Sequence, residues 1–149
     1  MIKSLDRSLG KLAFSLWDTK EGGQRLKEAA RLQRLESTSR AELDAWKQQR
    51  LTNLVRHAAR TSPWYQRVIA QAGLALEQPV TPDVLRRLPV TTKADIRNHT
   101  DEFISSDYQK AQLNRAKTGG STGVSLNLYF DERCQQWRNA AQMYADGFA

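Results

Sequence analysis

The sequence predicts a mainly α-helical chain with one β-hairpin near its C-terminal end. Over much of residues 1–100, apolar residues recur at the three- and four-residue intervals of a helix with one buried face. Over residues 125–130 the interval becomes two, which is typical of a strand with one buried face. A glycine-rich segment precedes that strand, so we expect it to form the hairpin loop.

Two helices are predicted at the N-terminal end. The apolar face of the first consists of Leu5, Leu9, Leu12, Leu16 and Trp17. Gly22-Gly23 interrupts this pattern, and residues 24–36 resume it among many charged side chains. Ser37-Thr38-Ser39 then separates these helices from the rest of the chain.

The best-marked helix begins at Ser39, which together with Glu42 has the spacing of a capping box. The residues expected on its apolar stripe are Leu43, Trp46, Leu54, Val55 and Ala58. Ser62-Pro63 ends this helix and begins another, because proline suits the first helical position. The buried face of that helix is expected to contain Trp64, Val68 and Ile69. Gly73 is its expected C-terminal stop.

Two short helices follow in a proline-rich stretch. Thr81 is the expected cap of the first, with Leu85 and Leu88 turned inward. Thr92 and Asp95 repeat the capping-box spacing at the start of the second.

The hairpin and a closing helix complete the prediction. The buried positions of the second strand are expected to be Leu126, Leu128 and Phe130. Leu113 to Thr118 is its expected antiparallel partner. Asp131 precedes the closing helix, whose shared face is expected to contain Trp137, Ala140, Ala141, Tyr144 and Phe148.

Composition limits the class of protein. The chain has 149 residues and a net charge of +7, and residues 1–60 hold thirteen basic and seven acidic residues. The single cysteine, Cys134, excludes an internal disulfide and a cysteine-cluster zinc site. No run approaches the roughly 18 apolar residues of a membrane span, and the N-terminal apolar stretch is too short for a signal peptide. We therefore expect a cytoplasmic protein without a transmembrane segment.

The segment from Lys117 to Gly123 contains three glycines and three hydroxyl residues. Glycines allow backbone N–H groups to approach an anion, and hydroxyls add donors that rotate to follow it. The candidate phosphate-binding residues are Lys117, Thr118, Gly119, Gly120, Ser121, Thr122 and Gly123. The spacing is that of neither a Walker A loop nor a dinucleotide-binding turn. A simple hairpin turn has a similar composition and remains the alternative.

Residues 118–123, Thr-Gly-Gly-Ser-Thr-Gly, resemble the phosphate-binding loop of adenylate-forming enzymes, the superfamily of acyl-CoA synthetases, luciferases and nonribosomal adenylation domains. Residues 57–67 and 72–74 resemble the His-Ala…Pro-Phe/Tyr-Tyr-Arg…Ala-Gly segment of the phenylacetate–CoA ligase family. Residues 88–97 resemble its Leu-Pro-Val-Leu-Thr-Lys-X-Asp-Ile/Leu-Arg segment. The relatives found in polysaccharide-biosynthesis clusters are most similar, because Leu126 follows the loop where many other members carry lysine.

The resemblance implies an ATP-dependent, AMP-forming carboxylate–CoA ligase with an α/β fold overall. It implies ATP, CoA and Mg²⁺ as cofactors and a small-molecule carboxylic acid as substrate. Residues 39–149 correspond to the N-terminal part of the adenylate-forming domain, and residues 1–38 are a basic helical extension. The resemblance places the adenine and acyl pockets, the metal-binding acids and the catalytic lysine beyond this stretch. We therefore expect a truncated, split or partial enzyme that is inactive alone and possesses no catalytic or metal-binding residue of its own.

One departure from the family pattern concerns the loop itself. Ser125 stands in place of the usual proline, which makes the exit from the loop less rigid.

Two alternatives to the ligase interpretation remain open on the sequence. One is a non-catalytic basic helical module that binds a partner or a membrane surface, and the other is a non-functional remnant. Nucleic acid is not an expected partner, because acidic residues alternate with the basic ones and no known binding motif occurs. His57, His99 and Cys134 are expected at the surface or in packing contacts, and Trp46, Trp64 and Trp137 in packing between helices.

Overall fold

A computed structural model describes residues 2–119 and 125–147, with side chains from residue 9 onward. Within those ranges the chain is mainly helical and carries a small antiparallel sheet, in agreement with the predicted helices and hairpin. The helices are α1 (Ile2–Lys20), α2 (Arg25–Leu35), α3 (Arg40–Thr61), α4 (Pro63–Gln71), α5 (Pro82–Leu85), α6 (Lys93–Asn98), α7 (Thr100–Phe103) and α8 (Glu132–Ala145). The strands are β1 (Asn114–Lys117) and β2 (Asn127–Phe130), and a 3₁₀ turn spans Lys110–Gln112.

The chain forms two compact units. The first combines the residues up to Thr38 with those from Glu132 onward, and the second runs from Ser39 to Asp131. One division thus falls after Thr38, where the sequence separates its basic extension from the rest. The other falls before α8, which packs with α2.

The first unit depends on the pairing of α2 with α8. Ala29 on α2 and Ala140 on α8 are both completely buried, because small side chains allow the two helices to approach closely. The backbone N–H of Gln24 donates to Oε1 of Gln136 at 3.0 Å, which fixes the start of α2 against α8. The prediction that Ala141 shares the packed face is wrong, since Ala141 is exposed. Adjacent helical residues point about 100° apart, so only one of these two alanines faces α2.

The turn between α1 and α2 is built around a buried carboxylate. Asp18 is 3% exposed, and its Oδ1 lies 2.7 Å from Nη1 of Arg25. Its Oδ2 accepts a bond from the backbone N–H of Leu26 at 3.4 Å, near the start of α2. A Cβ on Gly23 would clash with the carboxylate of Asp18 and would lie 2.8 Å from its backbone carbonyl oxygen, so this turn requires glycine. Asp18 therefore fixes α1 to α2.

Both predicted capping boxes are present in the second unit. The hydroxyl of Ser39 accepts a bond from the backbone N–H of Glu42, whose carboxylate accepts from the N–H of Ser39. The hydroxyl of Ser39 also donates to Oε2 of Glu42 at 2.7 Å, and this bond, followed by the one from the backbone N–H of Ser39, holds the pKa of the Glu42 carboxyl below its usual value. Thr92 and Asp95 make the same reciprocal pair at the start of α6.

The core of the second unit consists of Val55, Ile69 and Val80, surrounded by partly buried leucines. Val80 is 1% exposed, and its backbone N–H donates to Oγ1 of Thr52 at 3.0 Å. The side chain of Gln48 donates to the carbonyl of Val80. Polar side chains on α3 thereby supply hydrogen-bond partners to the backbone of a buried segment that belongs to neither a helix nor a strand.

The prediction that Leu54 lies on the buried stripe of α3 is wrong, because Leu54 is 64% exposed. The buried residues of α3 include Thr52 and Val55, which are three positions apart. Leu54 points about 100° away from Val55 and so falls outside that stripe. In contrast, Val68 and Ile69 are buried on α4 as predicted, and Gly73 follows that helix with a φ of +58°.

The sheet is a single antiparallel pair. Its register places Asn114 opposite Phe130 and Lys117 opposite Asn127. Both strands are two residues shorter than the predicted segments, since β1 lacks one predicted residue at each end and β2 lacks the two nearest the glycine-rich loop. Helix α7 and the 3₁₀ turn before β1 were not predicted from the sequence.

Candidate functional site

The base of the glycine-rich loop is closed by Thr118 and Leu126. The backbone N–H of Thr118 donates to the carbonyl of Leu126 at 3.0 Å. The backbone N–H of Leu126 donates in turn to Oγ1 of Thr118 at 2.9 Å. The threonine side chain thus takes the place of the backbone acceptor that the next ladder pair would supply. The loop therefore leaves the hairpin from a defined, doubly bonded base.

The outer face of the hairpin is basic. Arg115 and Lys117 alternate with the other residues of β1, so their side chains lie on the same face of the sheet. Their partners across the sheet, Tyr129 and Asn127, lie on this face too, since directly opposed residues share a side. Both cationic side chains are exposed. A positively charged face therefore leads along β1 to the base of the loop.

The inner face of the hairpin is apolar and only partly covered. Leu126 is buried and Phe130 is half-buried, as predicted. Leu128 was predicted to be buried with them, but it is 42% exposed. A two-stranded sheet provides little surface to cover the middle of its own face, so burial there depends on other elements.

Two contacts hold β2 against the segment that follows α7. The hydroxyl of Tyr108 donates to Oδ2 of Asp131 at 2.7 Å. The ammonium group of Lys110 lies 5.0 Å from the centre of the Tyr129 ring. Lys110 also forms an ion pair with Asp101, and this hydrogen bond raises the pKa of Lys110. The position of the hairpin within the second unit thus depends on side chains outside it.

An open groove of about 410 Å³ lies along this segment. Its lining residues are Pro63, Asp101, Ile104, Ser105, Ser106, Tyr108 and Lys110. The charge of Lys110 in this groove is balanced by Asp101. The groove therefore presents hydroxyl groups and a neutral ion pair, which is a weaker attraction for an anion than the outer face of the hairpin.

A second cluster of titratable side chains joins α4 to α7. Nη1 of Arg67 lies 2.5 Å from Oε2 of Glu102, and Nδ1 of His99 lies 2.7 Å from Oε1 of the same residue. Hydrogen bonds from Arg67 and then from His99 lower the pKa of the Glu102 carboxyl. The ring of Trp64 stacks on Phe103 with centroids 4.6 Å apart. This arrangement fastens two helices together, which agrees with the packing role expected for His99 and Trp64.

The remaining residues considered for reactivity lie at the surface. Nδ1 of His57 is 3.8 Å from Oδ2 of Asp107, and both side chains are about half exposed. Cys134 is exposed on α8 and forms no disulfide.

The structure places three of the seven predicted phosphate-binding residues. Lys117 ends β1, Thr118 closes the loop base, and Gly119 follows it with an exposed backbone. The other four predicted residues, Gly120, Ser121, Thr122 and Gly123, lie outside the described residues. Arg115 was not predicted as part of this site. Its alternation with Lys117 was visible in the sequence, but which of the two faces of the hairpin would be exposed depends on what packs against the strands.

Two further properties of the described part bear on the sequence predictions. In residues 2–119 and 125–147, no group of three or more His, Cys, Asp or Glu side chains is arranged to hold a metal ion. Within the same ranges, every helix is too short or too polar to cross a lipid bilayer.

Comparison with known proteins does not assign the chain to a family. No protein-family model matches the sequence, and no curated protein matches it.

Proposed function

We propose that residues 117–123 bind the polyphosphate of ATP, as part of an AMP-forming carboxylate–CoA ligase. The observation that supports this most directly is the pair of hydrogen bonds between Thr118 and Leu126. A polyphosphate site needs a loop with a fixed base, because donors that are already positioned lose less entropy on binding. The closed base provides that, and the motif resembles the phosphate-binding loop of adenylate-forming enzymes.

Charge and access at the loop base support the same function. Lys117 and Arg115 are exposed on one face of β1, which favours an anionic ligand. A Cβ placed on Gly119 would meet no atom of the described residues outside its chain neighbours within 4 Å, which leaves room for a ligand on that side of its backbone. The hydroxyl of Thr118 accepts from Leu126 and can still donate its own proton to a phosphate oxygen.

In the proposed reaction, a substrate carboxylate attacks the α-phosphorus of ATP and pyrophosphate leaves. The loop would hold the β- and γ-phosphates while negative charge develops on the leaving group. Transfer of the acyl group to CoA would follow. The acid substrate, CoA and Mg²⁺ enter this proposal through the family resemblance. Residues 117–123 would supply the phosphate-binding step alone.

The test is a titration of the purified chain with inorganic pyrophosphate and with ATP, followed by backbone amide chemical shifts. We expect millimolar binding, with the largest shifts at Thr118, Gly119 and the adjoining loop. The double variant Ser121→Ala, Thr122→Val should bind pyrophosphate about tenfold more weakly, because two hydroxyl donors to a charged oxygen are lost.

The matched control is Ser125→Ala, which removes a hydroxyl beside the loop that we do not assign to the phosphate. It should bind pyrophosphate as the unmodified chain does. The proposal is wrong if pyrophosphate leaves the loop amides unshifted. It is equally wrong if the double variant and the control bind alike.

A further inference from the structure

Helix α1 exposes a stripe of leucines. The described members are Leu9, Leu12 and Leu16, which are 60%, 59% and 65% exposed. Their spacing of three and four residues places them on one line along the helix, over about 10 Å of its length. Contiguous exposed apolar surface of this kind is typical of a site that contacts a partner or a lipid phase.

The buried carboxylate of Asp18 determines which way the stripe points. Asp18 faces α2, where it binds Arg25 and the backbone N–H of Leu26. At about 100° per residue, the three leucines lie roughly 120° to 180° around the helix from Asp18. The contact that fixes α1 to α2 therefore turns the leucine stripe away from α2.

The charge of α1 favours an anionic surface. The helix sequence contains four basic residues, Lys3, Arg7, Lys11 and Lys20, and two acidic ones, Asp6 and Asp18. Because Asp18 is buried and paired with Arg25, its charge is compensated within the first unit. The remaining charge of α1 is positive, in a chain whose net charge is +7.

The exposed leucines and the positive charge of α1 together distinguish among the partners that could cover this helix. Nucleic acid would satisfy the positive charge but would leave the leucines in water. A second copy of the chain would cover the leucines but would bring two positively charged helices together. A bilayer with anionic headgroups accommodates both, since the leucines enter the acyl region while the net positive charge of the helix is attracted to the phosphates.

We propose that α1 lies in the plane of an anionic phospholipid bilayer, with Leu9, Leu12 and Leu16 directed into the acyl boundary. Trp17 is 48% exposed beside this stripe, and the guanidinium of Arg25 lies 5.1 Å from its ring centre. A half-exposed indole at the edge of an apolar stripe suits the headgroup level, where one side is apolar and the other is wet. This inference is independent of the phosphate-binding function.

The test is flotation of the full chain with vesicles of phosphatidylcholine alone or mixed with phosphatidylserine. We expect binding to the mixed vesicles that weakens as sodium chloride is raised, and little binding to phosphatidylcholine alone. The variant Leu12→Gln should bind about tenfold more weakly, because an apolar side chain leaves the acyl boundary. Circular dichroism of the variant, at the same protein concentration, checks that the helices are retained.

The matched control is Leu54→Gln, which replaces a leucine of similar exposure on α3. It should bind mixed vesicles as the unmodified chain does. Equal binding of the two variants would overturn the proposal, and so would equal binding to the two vesicle types. Absence of vesicle binding together with a dimer that Leu12→Gln dissociates would assign the stripe to a second copy of the chain instead.

Discussion

The side chain of Thr118 accepts a hydrogen bond from the backbone N–H of Leu126 at 2.9 Å, while the backbone N–H of Thr118 donates to the carbonyl of Leu126 at 3.0 Å. The first hydroxyl of the glycine-rich motif is therefore a structural element of the hairpin as well as a candidate ligand. Because a hydroxyl accepts and donates at once, the two roles are compatible. Removing this hydroxyl should consequently disturb the loop base even without phosphate.

Replacing Thr118 with valine keeps the shape of the side chain and removes its acceptor. We expect the backbone amide of Leu126 to exchange with solvent about fivefold faster, corresponding to about 1 kcal/mol for one hydrogen bond. Hydrogen exchange measured by nuclear magnetic resonance checks this. Thr118→Ser, which retains the hydroxyl, should keep the protection. Equal exchange in both variants would mean that the hydroxyl does not close the loop.

Replacing Val80 with alanine should destabilise the second unit by about 2 kcal/mol, because the lost methyl groups leave a cavity in the core. Val80 is 1% exposed, whereas Val90 is 88% exposed. Val90→Ala is therefore the matched control and should change the free energy of unfolding by less than about 0.5 kcal/mol. Chemical denaturation measures both. Similar effects of the two substitutions would contradict the assignment of Val80 to the core.

Replacing Ala140 with leucine should separate α8 from α2. Ala140 is completely buried in the first unit, and a larger side chain there costs about 1–3 kcal/mol through overpacking. Ala141→Leu places the same side chain on the exposed neighbouring position and should change stability by less than about 0.5 kcal/mol. Thermal unfolding of both variants, followed by circular dichroism, checks the difference. A destabilised Ala141→Leu with an unaffected Ala140→Leu would assign the contact to the face of α8 that carries Ala141.

Acidification should weaken the start of α3. The hydrogen bonds from Ser39 lower the pKa of Glu42 below its usual value of 4.5, so the ionised carboxylate stabilises the folded state above that pH. This contribution is lost as the pH falls through the lowered pKa. Between neutral pH and pH values below that pKa, the free energy of unfolding should therefore decrease more steeply for the unmodified chain than for Glu42→Gln. Identical pH dependence of the two proteins would exclude this role.

Local signals in the sequence were sufficient to predict helix ends. The capping boxes at Ser39 and Thr92 depend on residues three positions apart, and both are confirmed. The stop at Gly73 is confirmed for the same reason, since its positive φ is a local requirement. These features depend on backbone geometry that neighbouring residues alone determine.

Burial was predicted less well, because it depends on elements distant in sequence. Leu54 and Leu128 are of a residue type common in cores, but in the described part of the chain no other element covers them sufficiently. The alternation of β2 identifies a face without identifying what packs on it. In the same way, periodicity marks an apolar stripe on α1 and does not indicate that Asp18 turns that stripe outward.

The candidate site was predicted in part. The two strands that flank the loop are confirmed, and the glycine and hydroxyl residues between them stay predicted ligands. The bond from Leu126 to the side chain of Thr118 was not predicted, since it requires the register of the hairpin. The assignment of ATP to this loop stays a prediction until pyrophosphate binding is measured.

The pairing of α2 with α8 has a consequence for synthesis of the chain on the ribosome. Gln24 and Gln136, which bond across this pair, are 112 residues apart. Helix α2, which is translated first, must therefore wait for the intervening residues and α8 to emerge before Ala29 is covered by its partner. During that interval the contact surface of α2 stays exposed to water, a condition in which unfinished chains are prone to aggregate.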